Sequence, residues 1–291
     1  MLLSPWQRAL RMGAAWIVVL AFAFPIFYWL TIAFKPDRDI FSVPPRVFGF
    51  APTVQSFGEV FGVSLGFEHG LEVLPGGGNF YMLPRLWDSI VVALFSTALA
   101  ILVATLAAYA LSRMRFRGQH HFVFWVLSTR MMPPVAVAIP MFFIYKDFGL
   151  LDTYSGVILI HALMNMPLAV LLLKSFFDDI PVEIDEAAII DGASRIRIFR
   201  KLVLPMAMGG IAATAVLCFI FSWTEFLFAL TLTSTTLKTV PVVSSTFVTS
   251  TGTAWGNMAA LGAAAMVPAF VFILLVQKNL VRGLTLGSLK Q

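Results

Sequence analysis

Three side chains capable of charge or proton chemistry interrupt long apolar runs: Arg130, His161 and Glu225. An ionisable group is costly to embed in hydrocarbon, so it is retained there where it pairs, packs or lines a pathway. Arg130 lies about two turns from one end of its run, and its long side chain can reach toward an interface. Glu225 lies about two turns from the end of its own run, directly after Trp223 and Thr224. His161 suits hydrogen bonding between helices better than metal ligation. Arg130 and Glu225 are each open to a structural or a pathway role. None of these groups forms a catalytic set. The chain has no G-x-x-x-x-G-K-S/T loop for nucleotide phosphates, no H-E-x-x-H and no G-x-S-x-G. Its single cysteine, Cys218, has no disulfide partner and no zinc-like spacing. The expected chemistry is non-covalent, with no enzyme activity, cofactor or metal in this chain.

A second constellation lies in residues 178–205, where charge is dense. Asp178 to Asp191 carries six acids, and Arg195, Arg197, Arg200 and Lys201 follow. Pro181 suits a first helical turn, and Glu183, Asp185 and Glu186 would then sit at the positive end of the helix dipole. Gly192 is a natural stop because it accepts a left-handed backbone. Ser194 can cap a second helix. The expectation is two short helices with a bend at Gly192, presenting Ala187 and Ala188 as a small surface that another protein can approach closely. An interfacial helix lying on lipid fits less well, since anionic head groups would repel the acidic half.

These groups need elements that hold them in lipid. The 291 residues are 59% hydrophobic and only 12% charged, against about 25% charged in soluble domains. Six apolar runs are long enough to cross a bilayer core of about 30 Å: approximately residues 12–34, 89–111, 122–144, 156–173, 206–232 and 258–277. The first follows Arg8 and Arg11 like a signal peptide, but it is too long for one and reads as a retained span. The fold class is therefore all-α, a polytopic membrane protein with six transmembrane helices in a single domain over 1–291. Thirteen Lys and Arg fall on the side that carries both termini and residues 178–205, against six on the other. By the positive-inside rule that gives an N-in/C-in orientation. This placement also accounts for the net charge of +5 without nucleic acid. The first outer loop, residues 35–86, is rich in proline and glycine. It is expected to be irregular, with a short helix near Phe57–Val63.

The segments Glu186-Ala187-Ala188, Asp191-Gly192-Ala193 and Leu204-Pro205 resemble the EAA loop of ABC importer permeases. Met132-Pro133-Pro134, Gly149-Leu150-Leu151-Asp152-Thr153, Trp223-Thr224-Glu225-Phe226 and the tail from Gly283 to Lys290 resemble the carbohydrate branch, of the maltose-type second-permease kind. The resemblance runs from about Asp88 onward, and Thr224 stands where the branch has Asn after the Trp. It implies a type I permease fold in the cytoplasmic membrane of a prokaryote. Glu186 to Ala193 would be a coupling helix docked on an ATPase. The implied partners are a second permease, two ATPases that carry ATP and Mg, and an external solute-binding protein touching Ser250, Thr251, Gly252, Thr253 and Trp255. The solute would be a neutral sugar, oligosaccharide or polyol, passing along a translocation path with Asn165, Trp223, Thr224 and Glu225 as its candidate lining. A secondary transporter driven by an ion gradient would want several intramembrane acids, and Glu225 is alone.

The orientation is open to direct test. Cysteines placed at Ser64 and Thr251 should react with an impermeant reagent in intact cells, and one at Ser194 should not. Labelling at Ser194 overturns the topology.

Overall fold

The computed structural model describes residues 4–62, 82–249 and 252–287. Fourteen α-helices, one π-helical turn and one small hairpin are seen among the described residues. Four helices are long and apolar enough to cross a membrane: α1 (Pro5–Ala33), α4 (Met82–Arg113), α7 (Tyr154–Asp178) and α14 (Trp255–Gly287), the last through its apolar part Trp255–Gln277. Two bent helix pairs supply the remaining apolar runs. The chain divides into two compact units, one of residues 1–84 with 244–266, the other of residues 85–243 with 267–291.

The first unit begins at a capping box. Ser4 Oγ accepts from the Gln7 amide (3.4 Å) and Gln7 Oε1 accepts from the Ser4 amide (3.1 Å), which satisfies two donors at the start of α1. After α2 (Asp37–Ile40), the short helix α3 (Gln55–Phe61) stops at Gly62 with φ +68°. This is the expected outer-loop helix, although residues 63–81 lie outside the described residues. Glycines bring α14 close to its neighbours in this unit. A Cβ on Gly256 would lie 2.5 Å from Ser56 Oγ, and one on Gly262 would lie 2.9 Å from Trp29 Nε1. Small residues that let backbones approach are how helices associate in lipid.

The second unit is organised by α4, α7 and α11 (Met208–Trp223). Ala104, Ala108, Leu111, Ala169, Leu173, Phe177 and Cys218 form one buried cluster, and Cys218 is an inert thiol within it. The apolar run 122–144 is not one straight span. It folds as α5 (Gln119–Thr129) and α6 (Pro134–Asp147), bent by 92°. Pro133 is extended (φ −62°, ψ 124°) and Pro134 opens α6. A residue before proline is pushed out of the helical region, and proline has no N–H to continue the ladder. The run 206–232 is likewise broken at both ends. It bends by 71° at Ala207, where α10 (Leu204–Met206) gives way to α11. It stops again at Thr224–Phe226, before α12 (Leu227–Leu232).

Two carboxylates knit the loop ends of this unit. Asp152, at φ +56°, accepts the backbone amides of Ser234 (3.1 Å), Thr235 (3.1 Å), Thr236 (2.9 Å) and Leu237 (3.1 Å). Its own amide donates to the Leu232 carbonyl (2.8 Å). Asp88 accepts from Arg85 (3.1 Å), from the Tyr154 hydroxyl (2.5 Å) and from the Lys238 amide (3.3 Å).

Partial burial alone would raise the Asp152 pKa, but the four amides outweigh it and hold the carboxyl well below its usual range. A depressed folded pKa means that the stabilisation is complete above the unfolded value of about 3.9 and is lost as pH falls toward the folded one. Asp152→Asn should therefore lower the thermal midpoint at pH 7 and flatten the decline below about pH 4. Identical acid slopes in the two proteins would contradict this account.

Candidate functional site

The charged segment 178–205 forms a compact platform on the end of the second unit's core. Helix α8 (Glu183–Ile190) has Glu183, Asp185 and Glu186 in its first turn. Val182 occupies the cap position, so Pro181 lies just outside the helix and not in its first turn. The helix closes as expected at Gly192, with φ +79°. The Gly192 amide donates to the Ile189 carbonyl and the Ala193 amide to that of Ala188, both at 2.9 Å. This paired closure satisfies the orphan carbonyls and needs the left-handed backbone that glycine tolerates. The second helix, α9 (Arg195–Ile198), starts at Ser194, whose backbone is extended but whose side chain makes no capping bond. It runs on through a π-helical turn at Phe199–Val203 into α10. The ring of Pro205 at the end of that turn crowds the carbonyl four residues back, a site where the ladder widens.

The platform has two faces. Glu186, Ala187, Ile189, Ile190, Asp191 and Gly192 are exposed, Ile190 at 86%. Asp185 and Ala188 are buried, with Ile184 and Ala193 packed beside them against the core. The alanine pair is thus divided: Ala187 is open and Ala188 is not, because residues three apart share a helix face. Asp185 Oδ2 lies 2.5 Å from Arg113 Nε, and the two side chains are 11% and 7% exposed. Arg113 also donates to the Ile180 carbonyl at 2.8 Å.

Within the apolar layer, the candidate path residues divide as well. Glu225 caps α12, accepting the amides of Phe228 (2.9 Å) and Ala229 (3.0 Å). Its other contact is His161 Nε2 at 3.2 Å. His161 Nδ1 lies 2.8 Å from Ser222 Oγ, which lies 2.8 Å from Ser96 Oγ. An Nε2–H tautomer serves both sides, since Nδ1 then accepts from Ser222 while Nε2–H faces the carboxylate. Asn165 is buried and donates to the Cys218 carbonyl (3.2 Å). Trp223 stacks on Phe219, ring centroids 5.6 Å apart. Thr224 is exposed, with its hydroxyl donating to the Ile220 carbonyl (2.9 Å). Arg130 ends α5 at the bend, donates to the Met164 carbonyl (2.8 Å) and sits over the Phe221 ring at 5.2 Å. The polar groups therefore tie helices together, and Thr224 is the one of the four path candidates with an exposed side chain.

Of the candidate outer contact, Ser250 and Thr251 lie outside the described residues. Gly252–Thr253 (β2) pairs antiparallel with Val248–Thr249 (β1). Trp255 is 39% exposed and meets Trp29 edge-on at 6.4 Å. Of the tail, 283–287 continue α14 and 288–291 lie outside the described residues.

Residues 97–286 match the family described as the binding-protein-dependent transport system inner membrane component. This chain belongs to that family. The permease is 36% identical over 208 residues to the trehalose transport system permease protein of Mycobacterium tuberculosis, covering 70% of this chain and 76% of the relative. It is 31% identical to the sulfoquinovosyl glycerol transport system permease protein of Agrobacterium fabrum, covering 97% and 94%. Its fold matches a bacterial ABC transporter that imports the acidic polysaccharide alginate, with a TM-score of 0.69 at 23% identity, covering 96% and 99%. The chain is thus a multi-pass permease subunit of an ATP-driven importer, which works with a partner permease and ATPase subunits.

Sequence reasoning on this permease missed the pairing of Arg113 with Asp185, the Ser96–Ser222 contact and the capping role of Glu225. The one available signal was an acid three residues before an apolar turn, the spacing at which a side chain reaches free amides. Glu225→Ala leaves two amides without their acceptor, at about 1–3 kcal/mol for each, and His161 without its carboxylate neighbour. The detergent-solubilised variant should unfold at a clearly lower temperature, with Glu225→Gln in between. Unchanged melting of Glu225→Ala would show the cap to be dispensable.

Proposed function

We propose that this permease carries a sugar, oligosaccharide or polyol inward across the cytoplasmic membrane of a prokaryote. It would do so as one permease domain of six spans, N-in and C-in, with the bent pairs α5–α6 and α10–α11 each counted as one span. The observation that carries the solute class is the similarity, over most of the chain, to permeases named for trehalose and sulfoquinovosyl glycerol transport. The membrane layer agrees with a solute of little charge. Arg130 is engaged by a carbonyl and an aromatic face, and Glu225 by two amides and His161. Neither is a free counter-charge for a polyion.

In this reading the solute arrives on a separate binding protein that touches 250–253 and Trp255. It passes beside Trp223 and Thr224. ATP and Mg act on the partner ATPases, whose closure is received by the exposed face of α8, from Glu186 through Ala187 to the turn at Asp191, Gly192 and Ala193. Ala188 supports that face from behind, and Asn165 braces the wall of the path through Cys218. The tail beyond Gly283 contacts the ATPase pair.

Calorimetry on the cognate binding protein with a panel of sugars, sugar acids, polyols, amino acids, peptides and metal ions tests the assignment. Selective binding of a carbohydrate or polyol is expected. Binding of an amino acid, peptide or metal with no response to carbohydrates overturns it.

A further inference from the structure

We propose that the buried Arg113–Asp185 ion pair is the joint through which movement of α8 is passed to α4, so that Arg113 is a positioning residue for coupling. The proposal rests on the reading that the exposed face of α8 receives the ATPase, and it adds how that motion leaves α8. Helix α8 is eight residues long, and its inner apolar contacts are the small Ala188 with Ile184 and Ala193 alongside. Apolar contact of this kind has no direction and tolerates sliding. A buried ion pair at 2.5 Å, between side chains 7% and 11% exposed, resists sliding because displacing either partner leaves a buried charge uncompensated.

Arg113 is also built to hold two points at once. Its Nε faces Asp185 in the first turn of α8, while its Nη2 donates to Ile180 where the loop begins. The planar guanidinium fork makes both contacts from one side chain, which a lysine cannot copy. Its place at the last residue of α4 puts a cation at the negative end of that helix. One turn back, Tyr109 sits between Phe177 of α7 (5.9 Å) and Phe199 of the π-helical turn (4.6 Å), which ties the same end of α4 to the rest of the platform.

What α4 then carries is visible at its other contacts. Ser96 is 17 residues before Arg113, about 25 Å along a helix rising 1.5 Å per residue. It belongs to the Ser96–Ser222–His161–Glu225 chain that holds the α11–α12 break. A displacement of α8 transmitted to Arg113 therefore arrives as a shift of Ser96 against Ser222, next to Thr224.

The test uses the intact complex with its partner permease, ATPases and binding protein, in proteoliposomes. Two readouts are taken: a crosslink from Ala187→Cys to the ATPase, and the change in maleimide labelling of Thr224→Cys caused by ATP with vanadate. Arg113→Ala and Asp185→Asn should keep the crosslink and ATP hydrolysis while the ATP-dependent labelling change falls at least about fivefold. The charge exchange Arg113→Asp with Asp185→Arg should recover roughly half of that change, which a merely structural role would not predict. Crosslinked single variants with a wild-type labelling change remove this proposal alone. So does an exchange that recovers nothing, or poorer assembly with an unaltered change per assembled complex. A wild-type chain whose Ala187→Cys never crosslinks to the ATPase removes the docking reading, and this proposal with it.

Discussion

Hydrocarbon offers no hydrogen bonds, so each backbone group freed by a helix break inside it must find a partner in the protein. That constraint explains where this permease puts its few intramembrane charges. The chain breaks at Pro133–Pro134 and at Thr224–Phe226, and beside each break stands a long ionisable side chain. Arg130 reaches the Met164 carbonyl, and Glu225 takes the amides of Phe228 and Ala229. Glu225 thereby supplies acceptors for amides at the start of α12, while Arg130 ties the first bend to α7. His161, Ser222 and Ser96 extend the Glu225 cap across three helices. A carboxylate within an apolar run thereby becomes a structural fastener between helices.

Much of this was readable from composition and order, and the rest was not for a definite reason. Length and apolarity located the four helices long enough to cross a membrane and the two bent pairs, and Gly192 marked the end of α8 because its conformation is a local property. The bend at Pro133–Pro134 was also local, and the proline pair was a fair warning that a length test ignores. The pairs that fasten the molecule join positions far apart in the chain: Arg113 with Asp185, Asp152 with residues 234–237, Ser96 with Ser222. No spacing rule relates such positions, because what brings them together is the packing of α4, α7 and α11. The division of Ala187 from Ala188 followed from helical periodicity, but only once it was known which side of α8 met the core.

The platform at 178–205 also shows how one short helix can serve two masters. Its inner residues belong to the same buried cluster as Leu111, Leu173 and Phe177. Its outer residues, Glu186, Ala187, Ile189 and Ile190, face away. Alternation at three- and four-residue spacing lets eight residues carry both roles, with the acidic first turn also complementing the helix dipole.

If the exposed face of α8 receives the ATPase as proposed, the docking element is finished before that partner arrives, because its inner face is part of the chain's own core. Its partner meets a preorganised surface and spends little free energy on ordering it. Assembly of such a transporter can then proceed with the membrane subunit inserted and folded first. A partner that dissociates leaves behind a platform still shaped to receive the next one.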